Sequence, residues 1–253
     1  MSHKLSIVFL LFASLCMAHA EDTGALFRAA NQACQSGNYN AAMEGYEKIT
    51  TTGIESPDVY YNLGAAYQML GQPVHAVFNY RRALMLKPTL LQARRSLESI
   101  AQTQGIPMPR FTWREEVSSV ILPLHLISGG VIAAWMGAFL FVFAFLRKRP
   151  RFWWLSVSVV LILMGKSLAL LGFLCDPKVA YAHSAIVTAP EAIAAHAAPA
   201  DSSASLTKLV PGTGVNVLSN RGVWSYCQLP DNINAWLPSK NLTMVVPSGS
   251  PGG

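Results

Sequence analysis

The stretch "FLRKRPRFWW", residues 145–154, places four positive charges within positions 147–151 and flanks them with aromatic and aliphatic side chains. Such a run is either a basic arm for nucleic acid or the edge of an apolar segment, and the charge distribution decides between them. Residues 21–116 carry nine basic and nine acidic side chains, and residues 175–253 carry four of each. Neither segment has the surplus that a phosphate footprint needs, so a nucleic-acid partner is not expected. The formal charge of +6 instead sits on Arg147, Lys148, Arg149 and Arg151, with Lys166 and the N-terminal Lys4.

What flanks the run is apolar. Positions 120–146 hold no Asp, Glu, Lys or Arg, and positions 152–174 are interrupted only by Lys166. Each stretch is long enough to cross the hydrocarbon of a bilayer with some tilt. Pro150 blocks a continuous helix, so the pair reads as a helical hairpin whose elbow is 147–151. The positive-inside tendency places that elbow in the cytoplasm, with Trp153 and Trp154 at an interfacial belt. Only 13% of the residues are charged, which agrees with lipid-facing segments.

The N-terminus gives the same orientation independently. His3 and Lys4 precede an apolar run from Leu5 to Leu15, and Ala18-His19-Ala20 offers a cleavage site before Glu21. This is the pattern of an export signal, so both flanking domains are expected outside the cytoplasm. Lys166 and His125 are the ionisable groups within the spans, and neither span holds a carboxylate. Such groups are functional candidates, although a lysine stem also snorkels toward headgroups or packs on a partner subunit. Gly129, Gly130, Ala133, Ala134 and Gly137 would let the two helices approach closely.

Upstream of the spans the sequence repeats itself. Gly37 and Gly71, Ala42 and Ala76, Tyr46 and Tyr80, Ala30 and Gly64, and Ile49 and Ala83 are all separated by one and the same offset. A period of about 34 residues with small residues at these places resembles the tetratricopeptide repeat. The second copy is the cleaner, with Tyr60, Leu63, Gly64, Tyr67, Gly71, Ala76, Tyr80, Ala83 and Pro88 on signature positions. Ile54 stands in the first copy where proline is usual. Residues 90–104 read as an amphipathic helix that caps the stack. The resemblance implies a concave groove lined by the first helix of each repeat, here Phe27, Asn31, Tyr61 and Gln68, with Arg95 on the capping helix.

Downstream, from Lys178, the pattern shifts to short strands. "LVPGTGVNVL" beginning at Leu209, "GVWSYCQLPD" beginning at Gly222 and "NAWLPSKNL" beginning at Asn234 resemble a bacterial SH3-like domain across residues 184–246. Alternation at Val215/Val217 and at Val223/Ser225/Cys227 fits strands with one buried face. Ala235 replaces the family's usual glycine, and the Ala/Ser-rich 189–205 lacks its early binding-loop motif. The resemblance makes Trp224, Tyr226 and Trp236 a candidate ligand surface, with packing of a small barrel as the alternative.

The histidines have no ligand spacing with Cys or with one another, and Gly212-Thr213-Gly214 precedes a strand, so it reads as a turn. No metal, cofactor or enzymatic activity is expected. The expected fold class is a multidomain membrane protein. It comprises a signal peptide (1–20), an all-α tetratricopeptide-repeat solenoid (21–104; repeats 23–56 and 57–90, capping helix 90–104) and a tether (105–119). A two-helix transmembrane hairpin follows (120–146 and 152–174, loop 147–151), then an all-β SH3-like barrel (178–247) and a flexible tail (248–253).

In its order of parts the chain resembles the aerotolerance-operon protein E family of bacteria (BatE). That resemblance implies a two-pass scaffold of the inner membrane with both domains periplasmic. Its implied partners are membrane proteins with von Willebrand factor A domains that are linked to a MoxR-type ATPase. Two alternatives stand beside it: a peptidoglycan-binding protein that recruits a cell-wall enzyme, and a subunit of a membrane transport assembly using Lys166 and His125.

Overall fold

The computed structural model describes residues 23–107, 113–121, 123–146, 152–176, 179 and 181–246. The expected signal peptide, the elbow with Arg147, Lys148, Arg149 and Arg151, and residues 248–253 lie outside the described residues. The chain divides into two compact units, the first holding the N-terminal helices and the second the long apolar helices and the sheet.

The first unit is a stack of short antiparallel helices: α1 (23–35), α2 (Tyr39–Thr51), α3 (Pro57–Met69), α4 (Pro73–Leu86) and α5 (Leu91–Gln104). Sequence punctuates each boundary. Asn38 caps α2, its side chain accepting from the Ala41 amide at 3.2 Å. Pro57 opens α3 at a position where a missing N–H costs nothing. Gly37 and Gly71 turn the chain between the helices of each pair with φ of +77° and +71°, the left-handed region where a side chain is strained. A Cβ on Gly71 would meet nothing within 4 Å, so its substitution tests conformation alone. Gly71→Ala is expected to cost about 1 kcal/mol and to lower the melting temperature of this unit by roughly 4–8 °C, read by circular dichroism.

The period of the sequence is visible in the packing. α3 packs on both α2 and α4, and Ala42, Tyr46, Ala76 and Tyr80 are all buried. Close contact needs the small residues. A Cβ on Gly45 would lie 2.8 Å from that of Ala30, and one on Gly64 would lie 2.8 Å from the Tyr80 ring. On α5 the buried residues are Ala93, Leu97 and Ile100, the i, i+4, i+7 stripe of an amphipathic helix.

In the second unit, α6 (Trp113–Val120) occupies part of what sequence reads as a tether. The two long helices are α7 (Pro123–Leu146) and α8 (Phe152–Leu174), both with mean hydropathy of 2.2. Each is long and apolar enough to cross a membrane, and most of each surface faces outward, including Phe139, Phe145 and Phe152. α7 begins at Pro123, inside the apolar run that starts at Val120, because proline lacks the N–H that an earlier helical turn would bond.

The two helices run antiparallel in close contact. Gly172 faces Pro123 and Ile127, Gly165 faces Gly130 and Ala134, and Gly137 faces Ser158 and Ile162. A Cβ on Gly130 would come within 2.6 Å of the Gly165 carbonyl oxygen, so the backbones themselves touch. Gly129, one of the small residues read from sequence, lies off this seam, with only Leu168 at 4.0 Å. The seam instead takes Gly165, Ala169 and Gly172 from α8.

The C-terminal sheet has seven strands: β1 (Ser184–Val187), β2 (Ile193–His196), β3 (Ser205–Leu209), β4 (Gly214–Arg221), β5 (Trp224–Gln228), β6 (Asn234–Pro238) and β7 (Leu242–Met244). Their order is β3-β2-β6-β5-β4-β1-β7, every neighbouring pair antiparallel. β3 and β7 are its edges, so the sheet is open where a closed barrel was expected. One face carries the core, including Val187, Val215, Cys227, Ala235 and Leu237.

The turn read at Gly212-Thr213-Gly214 lies between β3 and β4, with Gly212 at φ of +86°. One sequence expectation shifts here. Val223 is not part of a buried stripe. It is 75% exposed and sits with Gly222 in the turn of the β4–β5 hairpin, where Gly222 supplies the positive φ. Ser225 and Cys227 are buried as the alternation requires.

Candidate functional site

In the helical unit, four of the residues assigned to the groove gather around two buried tyrosines. Phe27 lies 6.0 Å from the Tyr46 ring, and Tyr61 lies 5.7 Å from the Tyr80 ring. Phe27 and Tyr61 are related by the same offset as Tyr46 and Tyr80, so each repeat builds the same aromatic pair. The amides lock these pairs. Tyr46 donates its hydroxyl to Asn31 Oδ1 at 2.6 Å, and Tyr80 donates to Gln68 Oε1 at 2.7 Å. Asn31 Oδ1 also accepts from Asn62 Nδ2 at 3.2 Å, which ties α1 to α3. Burial pushes both tyrosine hydroxyls up to about 12, so they remain donors across the ordinary pH range.

Asn31 is therefore largely committed to holding helices together. Gln68 and Arg95 are exposed, while Phe27 and Tyr61 are half-buried. The structure adds a cluster that sequence did not single out. Tyr67 hydrogen-bonds Glu47 and stacks on the His75 ring at 4.9 Å, joining α2, α3 and α4. Tyr67 is a signature position of the repeat, but its polar partners carry no spacing signal of their own.

In the sheet, Trp224, Tyr226 and Trp236 share the face opposite the core and are each half-buried. Tyr226 and Trp236 are directly opposed on β5 and β6, with ring centroids 4.9 Å apart. The Arg221 guanidinium stands over the Trp236 ring at 5.6 Å, a cation–π contact. His196 meets the edge of Trp224 at 5.4 Å. Its Nδ1 lies 3.2 Å from the Ser203 carbonyl oxygen; since a carbonyl only accepts, Nδ1 carries the proton.

β2 and β6 share only the His196–Trp236 register pair. Beyond it the strands part, and a groove of about 610 Å³ opens between Ile193 and Ala194 on one side and Pro238 on the other. Trp224 and His196 line it, with Asp201 and Lys240 at its polar positions. Sequence missed His196 and Lys240, because His196 lies in an Ala-rich stretch without strand alternation.

Lys166 and His125 are both exposed on the long helices. Lys166 lines a shallow groove with Val131, Ala134, Trp135, Ala138 and Ile162. His125 precedes Val131, the nearest groove residue on α7, by about 9 Å at 1.5 Å per residue, so the two are not brought together.

Cys34, Cys175 and Cys227 form no disulfide among the described residues. Burial pushes the Cys227 thiol up to about 12, which withholds its reactive thiolate, and Cys175 is fully buried from reagent. Maleimide labelling of the folded chain at neutral pH is expected to modify Cys34 first. Cys175 and Cys227 should react only after denaturation, as peptide mass mapping would read.

Residues 57–90 match the tetratricopeptide repeat family, which covers α3 and α4. A comparison with curated proteins finds no match for the chain. The match supports a role in protein–protein interaction, the general business of this repeat.

Proposed function

We propose that this protein is a non-enzymatic, membrane-anchored scaffold of the bacterial envelope that gathers partner proteins through its repeats. The observation that carries the proposal is the matched repeat at 57–90, whose Tyr61 and Gln68 stand on the outer side of the buried Tyr80. With Phe27, Asn31 and Arg95 they form the docking face. α7 and α8 anchor the chain as a two-pass hairpin in the inner membrane, with Arg147, Lys148, Arg149 and Arg151 as its cytoplasmic elbow. Both flanking domains then stand at one periplasmic face, which raises the effective concentration of whatever they hold. The sheet is an SH3-like module in this reading.

The partners follow from the likeness to aerotolerance-operon protein E. They are membrane proteins with von Willebrand factor A domains connected to a MoxR-type ATPase, serving aerotolerance or envelope stress. Cross-linking in membranes followed by affinity capture and mass spectrometry tests this. Recovery of such envelope proteins supports it, and recovery of none overturns it. A reporter fused after Gly253 should be active only outside the cytoplasm.

A second reading is favoured by the groove between β2 and β6, whose aromatic His196 and Trp224 sit beside Asp201 and Lys240. It makes the sheet a grip on peptidoglycan. Sedimentation of the detergent-solubilised chain with purified peptidoglycan, compared with its Trp224→Ala variant, separates the two. Binding by the parent chain that Trp224→Ala abolishes would favour the second reading.

A further inference from the structure

Lys166 poses a problem for a hairpin that lies in lipid. It stands about 12 Å along the helix from Leu174 and about 21 Å from Phe152, at 1.5 Å per residue. An ammonium at that depth is costly unless it reaches water or a counter-charge. Snorkelling to the nearer end works against the geometry of the helix. Side chains tilt toward the N-terminus, which in α8 points away from Leu174 and into the middle of the span.

The surroundings follow that direction. The groove lined by Lys166 extends toward Ile162, one turn closer to the N-terminus of α8, and runs along Val131, Ala134, Trp135 and Ala138 of α7. It is apolar apart from Lys166 itself and encloses about 350 Å³. Ala134 and Ala138, one turn apart, leave room for a backbone to approach, and Trp135, 63% exposed, forms a wall.

Neither span contains Asp or Glu, so nothing in the hairpin neutralises Lys166. A second copy of this chain would bring another lysine and no carboxylate. A headgroup beyond Leu174 lies about 12 Å along the helix from Lys166, on the side away from which the lysine stem tilts. An occupant that carries its own negative charge within the hydrocarbon supplies the missing counter-charge.

We propose that the Lys166 groove receives a transmembrane helix of another protein, one that presents an Asp or Glu side chain to the Lys166 ammonium. The inference rests on the reading of α7 and α8 as a membrane anchor. It places recognition inside the bilayer, separate from the docking face of the repeats, and gives the hairpin a role in choosing partners. A carboxylate and an ammonium that meet in lipid neutralise one another, and each is disfavoured there alone, so the pairing is selective.

The test uses the full chain in its native membranes with a photoreactive benzophenone amino acid replacing Trp135. The expected result is an adduct with a membrane protein whose captured span bears Asp or Glu. Its yield should fall about tenfold in Lys166→Leu, persist in Lys166→Arg, and return when Lys166→Asp is paired with a lysine replacing that carboxylate. Equal yields from Lys166→Leu, a captured span without a carboxylate, or adducts with lipid alone would overturn the proposal. Alkaline carbonate extraction distinguishes the underlying reading. A chain that stays in the membrane but makes no such adduct refutes only this inference, whereas a chain released by carbonate refutes the anchor, and this inference with it.

Discussion

Gly165→Val separates α7 from α8. A Cβ at Gly165 would stand 2.5 Å from the Gly130 carbonyl oxygen and 2.6 Å from the Ala134 amide nitrogen. Both obstacles are backbone, so no side-chain rotation relieves them and the helices must part by about 1 Å. A gap of that size forfeits a quarter to a half of the dispersion attraction of each pair it opens. In the proposed membrane anchor, association of the helices rests on that packing, because lipid is as apolar as the helices themselves. The cost is roughly 3 kcal/mol, about a hundredfold in the packing equilibrium. Bis-maleimide cross-linking between Ala138→Cys and Ile162→Cys, in a chain otherwise free of cysteine, should slow accordingly. Gly129→Val is the control. Its nearest neighbour is Leu168 at 4.0 Å, so cross-linking should be unchanged.

Tyr80→Ala unfolds the repeat unit near physiological temperature. Tyr80 is 1% exposed, its ring packs against Tyr61 and over Gly64, and its hydroxyl reaches Gln68. Truncation removes the ring and leaves a cavity, costing about 3–5 kcal/mol as for other buried aromatics. A unit of this size has on the order of 5–8 kcal/mol to lose. Circular dichroism of the full chain should show the helical signal of α1–α5 lost at lower temperature while α7 and α8 remain. Tyr80→Phe keeps the ring and loses the hydroxyl's hydrogen bonds to Gln68 and Ser96, each worth about 1 kcal/mol. A melting temperature equally low in both variants would show that the hydroxyl, rather than the ring, holds the unit.

Different physical signals made different parts of this molecule legible. The two apolar helices follow from the absence of charge over long runs. Their contact seam is only half legible. Small residues on α7 are visible in sequence, but whether Gly129 or Gly130 faces α8 depends on rotation about the helix axis. The repeat is legible because its periodicity records packing directly, as the Phe27–Tyr46 and Tyr61–Tyr80 pairs show.

Hydrogen bonds across that packing, such as Tyr46 to Asn31, leave no periodic mark, so Asn31 reads as a groove residue although it joins three helices. The sheet is least legible. β2 lies in an Ala-rich stretch without alternation, and its pairing with β6 joins His196 to Trp236, far apart in the chain. The groove beside His196 exists only because that ladder parts after one register pair, a fact of topology that local pattern does not carry.

In the proposed reading the repeat face, anchored at a membrane, holds other proteins. The most direct measurement is quantitative capture of cross-linked partners by the full chain in membranes, set against a Tyr61→Ala, Gln68→Ala, Arg95→Ala triple variant. These side chains are half-buried or exposed, so the variant should retain its helical signal and its membrane fraction. The account predicts at least a tenfold loss of the partners that the parent chain captures. Undiminished capture by a folded, membrane-bound triple variant would contradict it.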